Sequence, residues 1–138
     1  MKIYLDSNVL ISAFKIEIGF KLRGLFVEAN NFLEFTKEHN YKLVISSLVF
    51  YEIRKILFLS KQEVQEKLNL LEIEYEEVEM LQDDSFGAKK FEKLGIHSPD
   101  SKHIAIAIRT KCDCIVTFNL KDFEKANNLI EVKEPSMF

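Results

Sequence analysis

The amino-acid sequence predicts one α/β domain over residues 1–138, an α/β/α sandwich around a central, mostly parallel sheet of about four to five strands. Short apolar runs alternate along the chain with longer stretches of helical spacing, which is typical of a parallel sheet covered by helices. The hydrophobic fraction of 47%, with 12 Phe, is enough for a sizeable core in 138 residues. The low counts of Gly (4) and Pro (2) argue against disorder and against a loop-rich all-β fold.

The expected strands are short and apolar, as strands buried on both faces of a parallel sheet are. The first of them, Ile3-Tyr4-Leu5, ends directly at Asp6. In chain order the strands are expected at residues 3–5, 41–45, 73–78, 114–118 and 130–132. Five glutamates between Glu72 and Glu79 leave a helix open as the alternative for the third strand.

Helices are expected between these strands. Apolar residues from Leu22 to Leu33 recur at intervals of three and four, which predicts a long helix that ends near Glu38. The other helices have polar residues that are favoured at a helix start. Those starts are Ser7 or Asn8, Ser46 or Ser47, Ser60, one of Asp83, Asp84 and Ser85, and Ser98-Pro99-Asp100.

Composition also limits the class of protein. No apolar run approaches the roughly 20 residues that cross a bilayer, and Asp6 comes too early for the core of a signal peptide. We therefore expect a soluble, cytoplasmic protein without membrane contact. Cys112 and Cys114 are expected to be free, partly buried thiols, because adjacent positions on one strand face bridge poorly.

The net charge of −3 and the pI of about 5.7 have the wrong sign for binding nucleic acid by bulk electrostatics. A polyanionic ligand would need bridging cations or a local cluster of basic side chains.

Acidic side chains fall at equivalent places along the predicted sheet. Asp6 follows the first strand, and Asn119 and Asp122 follow the strand that ends near Phe118. Glu52 lies on the helix after the second strand, and Asp100 lies in the first turn of its own helix. Because ligands of open parallel sheets gather at the carboxyl ends of the strands, these acids are expected to meet at one edge.

Clustered carboxylates repel one another unless cations are present, and hard oxygen ligands suit Mg²⁺ or Mn²⁺. Two such ions about 3.5–4 Å apart activate water and stabilise the leaving oxygen of a phosphodiester. Each residue alone has a simpler interpretation: Asp6, Asp100 and Asp122 as helix caps, Glu52 as a solvent-exposed acid and Asn119 as a turn residue. The joint arrangement favours the metal site.

Four segments of the chain, at residues 4–11, 45–52, 100–107 and 115–123, match one family in order and spacing. They read YLDSNVLI, ISSLVFYE, DSKHIAIA and IVTFNLKDF. In these segments, and over essentially its whole length, the chain resembles PIN-domain ribonucleases. In size it resembles the VapC-type toxins and their free-standing archaeal relatives.

The resemblance implies a site in which Asp6, Glu52 and Asp100 are the principal ligands of Mg²⁺ or Mn²⁺. The fourth position is shared between Asn119 and Asp122, and Asn119 adds no charge, so one tight and one weaker metal are implied. The residues implied to support the site are Ser7, Asn8, Ser46 and Thr117.

The resemblance also implies an endoribonuclease that hydrolyses RNA with a metal-activated water and leaves a 5′-phosphate and a 3′-hydroxyl. Candidate substrate contacts are Arg54, Lys102 and His103 within a wider basic frame of Lys15, Lys21, Arg23 and Lys55, although lysines and arginines at such positions are more often ordinary solvated surface. A toxin of this kind would pair with an antitoxin protein. A homodimer is a candidate assembly, and the candidate exposed aromatics for its contact are Phe20, Phe32, Phe35, Phe50 and Phe58, with burial in the core as the default alternative for each.

Two alternatives remain open from the sequence. One is a catalytically silent PIN-fold module that binds RNA or a protein, although the intact acidic set argues against it. The other is a phosphatase with an aspartyl nucleophile, which requires a second Asp two residues after the first, where this chain has Asn8.

Overall fold

A computed structural model of the chain describes residues 1–15 and 23–138. The described residues form a five-stranded sheet in which every neighbouring pair of strands is parallel, in the order β3-β2-β1-β4-β5. The strands are β1 Lys2–Leu5, β2 Lys42–Ser46, β3 Tyr75–Val78, β4 Cys114–Val116 and β5 Glu131–Lys133.

Helices flank the sheet and confirm the predicted α/β/α architecture. They are α1 Ser7–Phe14, α2 Arg23–Glu38, α3 Ser47–Leu57, α4 Lys61–Leu70, α5 Gln82–Glu92, α6 Asp100–Arg109 and α7 Leu120–Phe123. Helix α1 packs against α2 and α3, whereas α5 packs against α6. Within the two described ranges, no helix combines the length and apolar character that a bilayer span requires.

The central strand β1 fixes the geometry of the sheet. Tyr4 lies opposite Val44 of β2 and opposite Ile115 of β4, so β1 is hydrogen-bonded along both edges. The chain adds strands on one side of β1 first and on the other side later, so the strand order reverses between β1 and β4. Ligands of open α/β sheets bind at such a reversal, beyond the carboxyl ends of the strands.

Several predicted helix starts are confirmed. Ser46 caps α3, because its Oγ accepts a hydrogen bond from the Val49 N–H at 3.4 Å. Ser60 caps α4 in a reciprocal arrangement with Glu63. The segment with five glutamates forms β3 and not the alternative helix.

Other boundaries differ from the prediction. Helix α1 begins at Ser7 with Asp6 as its N-cap residue, so Ser7 and Asn8 both lie inside the helix. Helix α5 begins after Leu81, and Asp84 accepts the Leu81 N–H at 2.7 Å from within the first turn. The predicted start of the long helix at Leu22 lies outside the described residues.

The core consists of the strands and the helix faces that cover them, including Ile3, Leu5, Val44, Ile45 and Ile115, all of which are fully buried. Cys112 and Cys114 are free thiols, as expected, and burial raises the pKa of Cys114 to about 12.

The aromatic residues that are candidates for a dimer interface differ in their exposure. Phe32 and Phe50 belong to the core, which is the default alternative for these candidates and removes them from a dimer contact. Phe35 is half-buried and stacks on His39, with 3.8 Å between the ring centroids. Phe58 is 84% exposed. Phe20 lies outside the described residues.

An ion pair joins α5 to α6, the helix that carries Asp100. The buried carboxylate of Asp84 accepts hydrogen bonds from Arg109 Nε at 2.8 Å and Arg109 Nη2 at 3.1 Å. Arg109 also donates to the Glu79 carbonyl at 2.8 Å. This network fixes the position of α6 relative to the rest of the domain.

We predict that Asp84→Ala lowers the free energy of unfolding by about 2 kcal/mol, because it removes a helix cap and leaves the Leu81 N–H without its partner. Urea denaturation measures the change. Asp83→Ala, an exposed position on the same helix turn, is the control and should change stability by less than about 0.5 kcal/mol. Equal effects of the two substitutions would contradict the role of the Asp84 network.

Candidate metal centre

Asp6 lies where the strand order reverses. It follows β1, its backbone N–H donates to the Val116 carbonyl at 3.0 Å, and its side chain is only 6% exposed. Its Oδ2 accepts a hydrogen bond from Thr117 Oγ1 at 2.8 Å. The sheet therefore holds this carboxylate between β1 and β4.

Thr117 and Asn8 form hydrogen bonds at the same edge of the sheet as Asp6. Thr117 Oγ1 accepts hydrogen bonds from Asn8 Nδ2 at 3.2 Å and from the Asn119 N–H at 2.9 Å. Asn8 Oδ1 in turn accepts the Phe118 N–H at 3.2 Å. The two side chains thus connect the start of α1 to the turn after β4 that carries Asn119.

Glu52 reaches the same edge from α3. Its Oε1 accepts hydrogen bonds from Ser7 Oγ at 3.0 Å and from His103 Nε2 at 2.6 Å. His103 Nε2 also lies 3.6 Å from Asp6 Oδ1. Ligand atoms of Asp6, Glu52 and His103 all lie within 4.8 Å of one another.

His103 requires a correction of the sequence interpretation. We expected it to contact substrate phosphate, but its side chain is fully buried. Both ring nitrogens have partners: Nε2 contacts Glu52, and Nδ1 lies 2.6 Å from the Tyr4 hydroxyl. In this structure the imidazole belongs to the interior of the site and not to a substrate groove.

Sequence reasoning missed Tyr4. Its hydroxyl lies 2.7 Å from Ser46 Oγ as well as 2.6 Å from His103 Nδ1, and its side chain is fully buried. The available signal was a tyrosine within an otherwise apolar central strand, since a buried phenol needs hydrogen-bond partners. Ser46, expected as a supporting residue, joins the site through this contact.

Asp100, Asn119 and Asp122 form a second group beside the first. Asn119 Nδ2 donates to Asp100 Oδ2 at 3.1 Å and to Asp122 Oδ2 at 2.9 Å. Asp122 is exposed, whereas Asp100 and Asn119 are half-buried. Asn119 and Asp122, the two candidates for one ligand position, are therefore hydrogen-bonded to each other.

The electrostatics of the two groups are coupled. Burial raises the pKa of Asp100 to about 6, with further increases from the charges of Asp6, Asp122 and Glu52. Burial likewise raises the pKa of Asp6, although His103 and Thr117 act in the opposite direction. Burial opposes a charged imidazole, but the bond to Glu52 and the charge of Asp6 raise the pKa of His103 above its usual value.

The residues of the expected basic frame differ in their exposure. Arg54 and Lys55 are exposed on α3, and Lys55 Nζ lies 5.6 Å from the centroid of the Tyr51 ring. Lys102 is half-buried on α6, and Lys15 is half-buried just after α1. Lys21 and the side chain of Arg23 lie outside the described part of the chain.

The donor set suits a hard divalent cation. Asp6, Glu52, Asp100 and Asp122 supply carboxylate oxygens, which Mg²⁺ and Mn²⁺ prefer. Both donors to Glu52 contact Oε1, and no described residue donates to Oε2. Burial and the neighbouring carboxylates raise the pKa of Asp6 and Asp100, which means that their ionised forms are destabilised. A bound cation stabilises those ionised forms.

Comparisons with known proteins identify the family of the chain. The sequence model of the PIN domain matches residues 3–129. Among curated proteins, none matches the chain by sequence.

Three similar solved structures are described as VapBC proteins or as a toxin–antitoxin complex. VapBC2 from Rickettsia felis, bound to a DNA fragment from its promoter, is 24% identical with a TM-score of 0.67, covering 97% of this chain and 98% of that one. A toxin–antitoxin complex from Klebsiella pneumoniae is 20% identical with a TM-score of 0.61, covering 96% of each chain. VapBC-1 from nontypeable Haemophilus influenzae is 18% identical with a TM-score of 0.66, covering 99% of each chain.

At these identities the structures establish a shared fold along nearly the whole chain. The sequence match spans most of the chain as well. It includes the polar residues beyond the carboxyl ends of the strands, here called the acidic edge, namely Asp6, Glu52, Asp100, Asn119 and Asp122. This chain therefore belongs to the PIN domain family.

Proposed function

We propose that this protein is a metal-dependent endoribonuclease that hydrolyses RNA phosphodiester bonds at the acidic edge of its sheet. The observation that carries the proposal is the convergence of Asp6 and Glu52 within one group of potential metal-ligand atoms, with the Asp100 carboxyl electrostatically coupled to both. Buried carboxylates that oppose each other's ionisation lower the stability of the fold, and such groups are typical of functional sites. A bound cation would offset that loss of stability.

In this proposal Asp6, Glu52 and Asp100 hold Mg²⁺ or Mn²⁺, and Asn119 or Asp122 completes the site. When bound, the cation supplies positive charge and Lewis acidity for the attack of water on a phosphodiester. Thr117 and Ser7 orient the Asp6 and Glu52 carboxylates through their hydroxyl donors. Asn119 holds Asp100 and Asp122 beside each other.

RNA is the proposed substrate because of the sequence resemblance to PIN-domain ribonucleases. The acidic pI of about 5.7 is compatible with a polyanionic substrate only if the charge at the site is neutralised locally. Bound metal would provide that neutralisation. Arg54 and Lys102, exposed and half-buried respectively, remain the proposed substrate contacts.

We further infer that the protein is the toxin of a toxin–antitoxin pair in the cytoplasm. Support comes from the three similar structures, each described as a toxin–antitoxin or VapBC assembly. The partner would be an antitoxin protein. A homodimer is also proposed, and exposed Phe58 is the remaining described candidate of the expected aromatic set for such a contact.

We predict that Asp6→Asn lowers Mn²⁺-dependent cleavage of single-stranded RNA by about 100-fold or more, a loss typical for an electrostatic group at a reacting centre. Gel analysis of a labelled RNA measures the rate, and chelation of the metal should abolish cleavage by the wild-type protein. Asp113→Asn is the control, because this exposed acid precedes β4 at the opposite edge of the sheet.

Two results would overturn the nuclease assignment. One is RNA binding without cleavage by the wild-type protein, which would favour the catalytically silent module. The other is a cleavage rate that stays equal in wild type, Asp6→Asn and Asp113→Asn, which would indicate a contaminating nuclease.

We also predict that Mn²⁺ binds more tightly as the pH rises through about 6, the pKa of Asp100. The carboxyl is protonated below that pH, and a ligand must lose its proton before it binds a metal. Isothermal titration calorimetry between about pH 5 and pH 7.5 measures the trend, which should flatten above the pKa. Asp100→Asn should remove the step near pH 6, and an unchanged step would contradict the role of Asp100.

A further inference from the structure

Glu52 is held through one of its two oxygens. Ser7 Oγ at 3.0 Å and His103 Nε2 at 2.6 Å both contact Oε1. Among the described residues none donates to Oε2, and the Glu52 side chain is 17% exposed. Two donors hold the carboxylate at Oε1, and Oε2 is left without a donor from the described residues.

The His103 imidazole is itself held in one orientation. Its Nδ1 lies 2.6 Å from the Tyr4 hydroxyl, and the Tyr4 and His103 rings meet edge-on with 5.6 Å between centroids. Both side chains are fully buried. A ring flip would break the contacts to Tyr4 and Glu52 together, so the hydroxyl of Tyr4 determines which nitrogen faces Glu52.

Tyr4 in turn lies on the most constrained element of the fold. Strand β1 pairs along both edges, and the Tyr4 hydroxyl lies 2.7 Å from Ser46 Oγ. Ser46 caps α3, the helix that carries Glu52. The contacts therefore form a closed circuit from β1 through Ser46 and α3 to Glu52, and back through His103.

We propose that Tyr4 and His103 are positioning residues that set the metal affinity of Glu52, with Tyr4 acting on Glu52 through the His103 imidazole and through Ser46 at the start of α3. This inference rests on the proposed metal site and adds two residues that orient a metal ligand without binding the metal. Groups that orient metal ligands typically change affinity by about 10–100-fold when they are removed. His103 lies about one helical turn after Asp100 on α6. The contacts that hold His103 therefore also help to position Asp100.

The experiment measures Mn²⁺ affinity by calorimetry and thermal stability for Tyr4→Phe, which removes one hydroxyl and keeps the ring. We expect the dissociation constant for Mn²⁺ to rise about 10-fold. Thr36→Val is the matched control, because it removes a buried hydroxyl that donates to the Leu33 carbonyl at 2.7 Å, and Thr36 lies beside Tyr41, which precedes β2. That variant should lose thermal stability with no change in Mn²⁺ affinity.

A pair of substitutions at His103 separates the hydrogen bond from packing. His103→Gln keeps an N–H that reaches towards Glu52, whereas His103→Leu does not. We expect the Gln variant to bind Mn²⁺ more tightly than the Leu variant. Equal affinities of the two, or a Tyr4→Phe variant that binds as the wild type does, would overturn the positioning role.

Pulsed EPR of bound Mn²⁺ distinguishes positioning from direct ligation. A positioning imidazole gives no coupling from a directly coordinated nitrogen, whereas a coordinated His103 does, and that coupling would overturn the inference. Asp6→Asn tests the underlying site: its loss of Mn²⁺ binding, with full affinity retained in Tyr4→Phe, would leave the proposed function intact and remove only this inference. A wild-type protein that binds no Mn²⁺ would remove both.

Discussion

Burial of the Asp6 carboxylate between β1 and β4 is the constraint on which the rest of the site depends. The strand order reverses at this point, so the loops after the two strands diverge and leave room beyond the sheet edge. A carboxylate placed there loses most of its water, and burial raises its pKa accordingly. The neighbouring contacts compensate this cost: Thr117 donates to one oxygen, and His103 approaches the other.

The remaining site residues follow from the elements that surround Asp6. Helix α3 begins at the end of β2, so Glu52 on its second turn reaches the same edge. Helix α6 is tied to α5 through Arg109 and Asp84, and it brings both Asp100 and His103 towards β1. Two groups of polar side chains result. The buried group surrounds His103, and the more exposed group surrounds Asn119.

Much of this arrangement was predictable because the periodicity of strands and helices depends on residues that are close together in the sequence. The alternation of apolar runs with helical stretches predicts the five strands of the described sheet, and the rule for strand ends brings Asp6, Glu52 and Asp100 to one edge. Side-chain pairing across long sequence separations was not predictable in the same way. Tyr4 and His103 are 99 positions apart, and no local pattern indicates that their side chains meet.

The same limit explains why the burial of some side chains was not predicted. His103 resembles an exposed basic residue when only its neighbours in sequence are considered, yet α6 turns it into the interior. Phe32 and Phe50 fall on helix faces whose burial depends on packing between elements. The start of α5 was misplaced because Asp84 caps the helix from its first turn and does not precede it. The burial of His103, Phe32 and Phe50 depends on tertiary contacts, whereas the start of α5 depends on a local capping contact.

Thermal unfolding of the wild type and Asp100→Asn, each with and without Mn²⁺, tests the metal-site account most directly. At about pH 7.5 the Asp100 carboxyl is ionised despite a pKa raised to about 6, so its charge destabilises the metal-free fold. Without metal, Asp100→Asn should therefore unfold at a higher temperature than the wild type. Saturating Mn²⁺ should reverse the order, because the wild type gains more binding free energy. A wild type that Mn²⁺ does not stabilise, or that is more stable than Asp100→Asn in both conditions, would contradict a metal site at this edge.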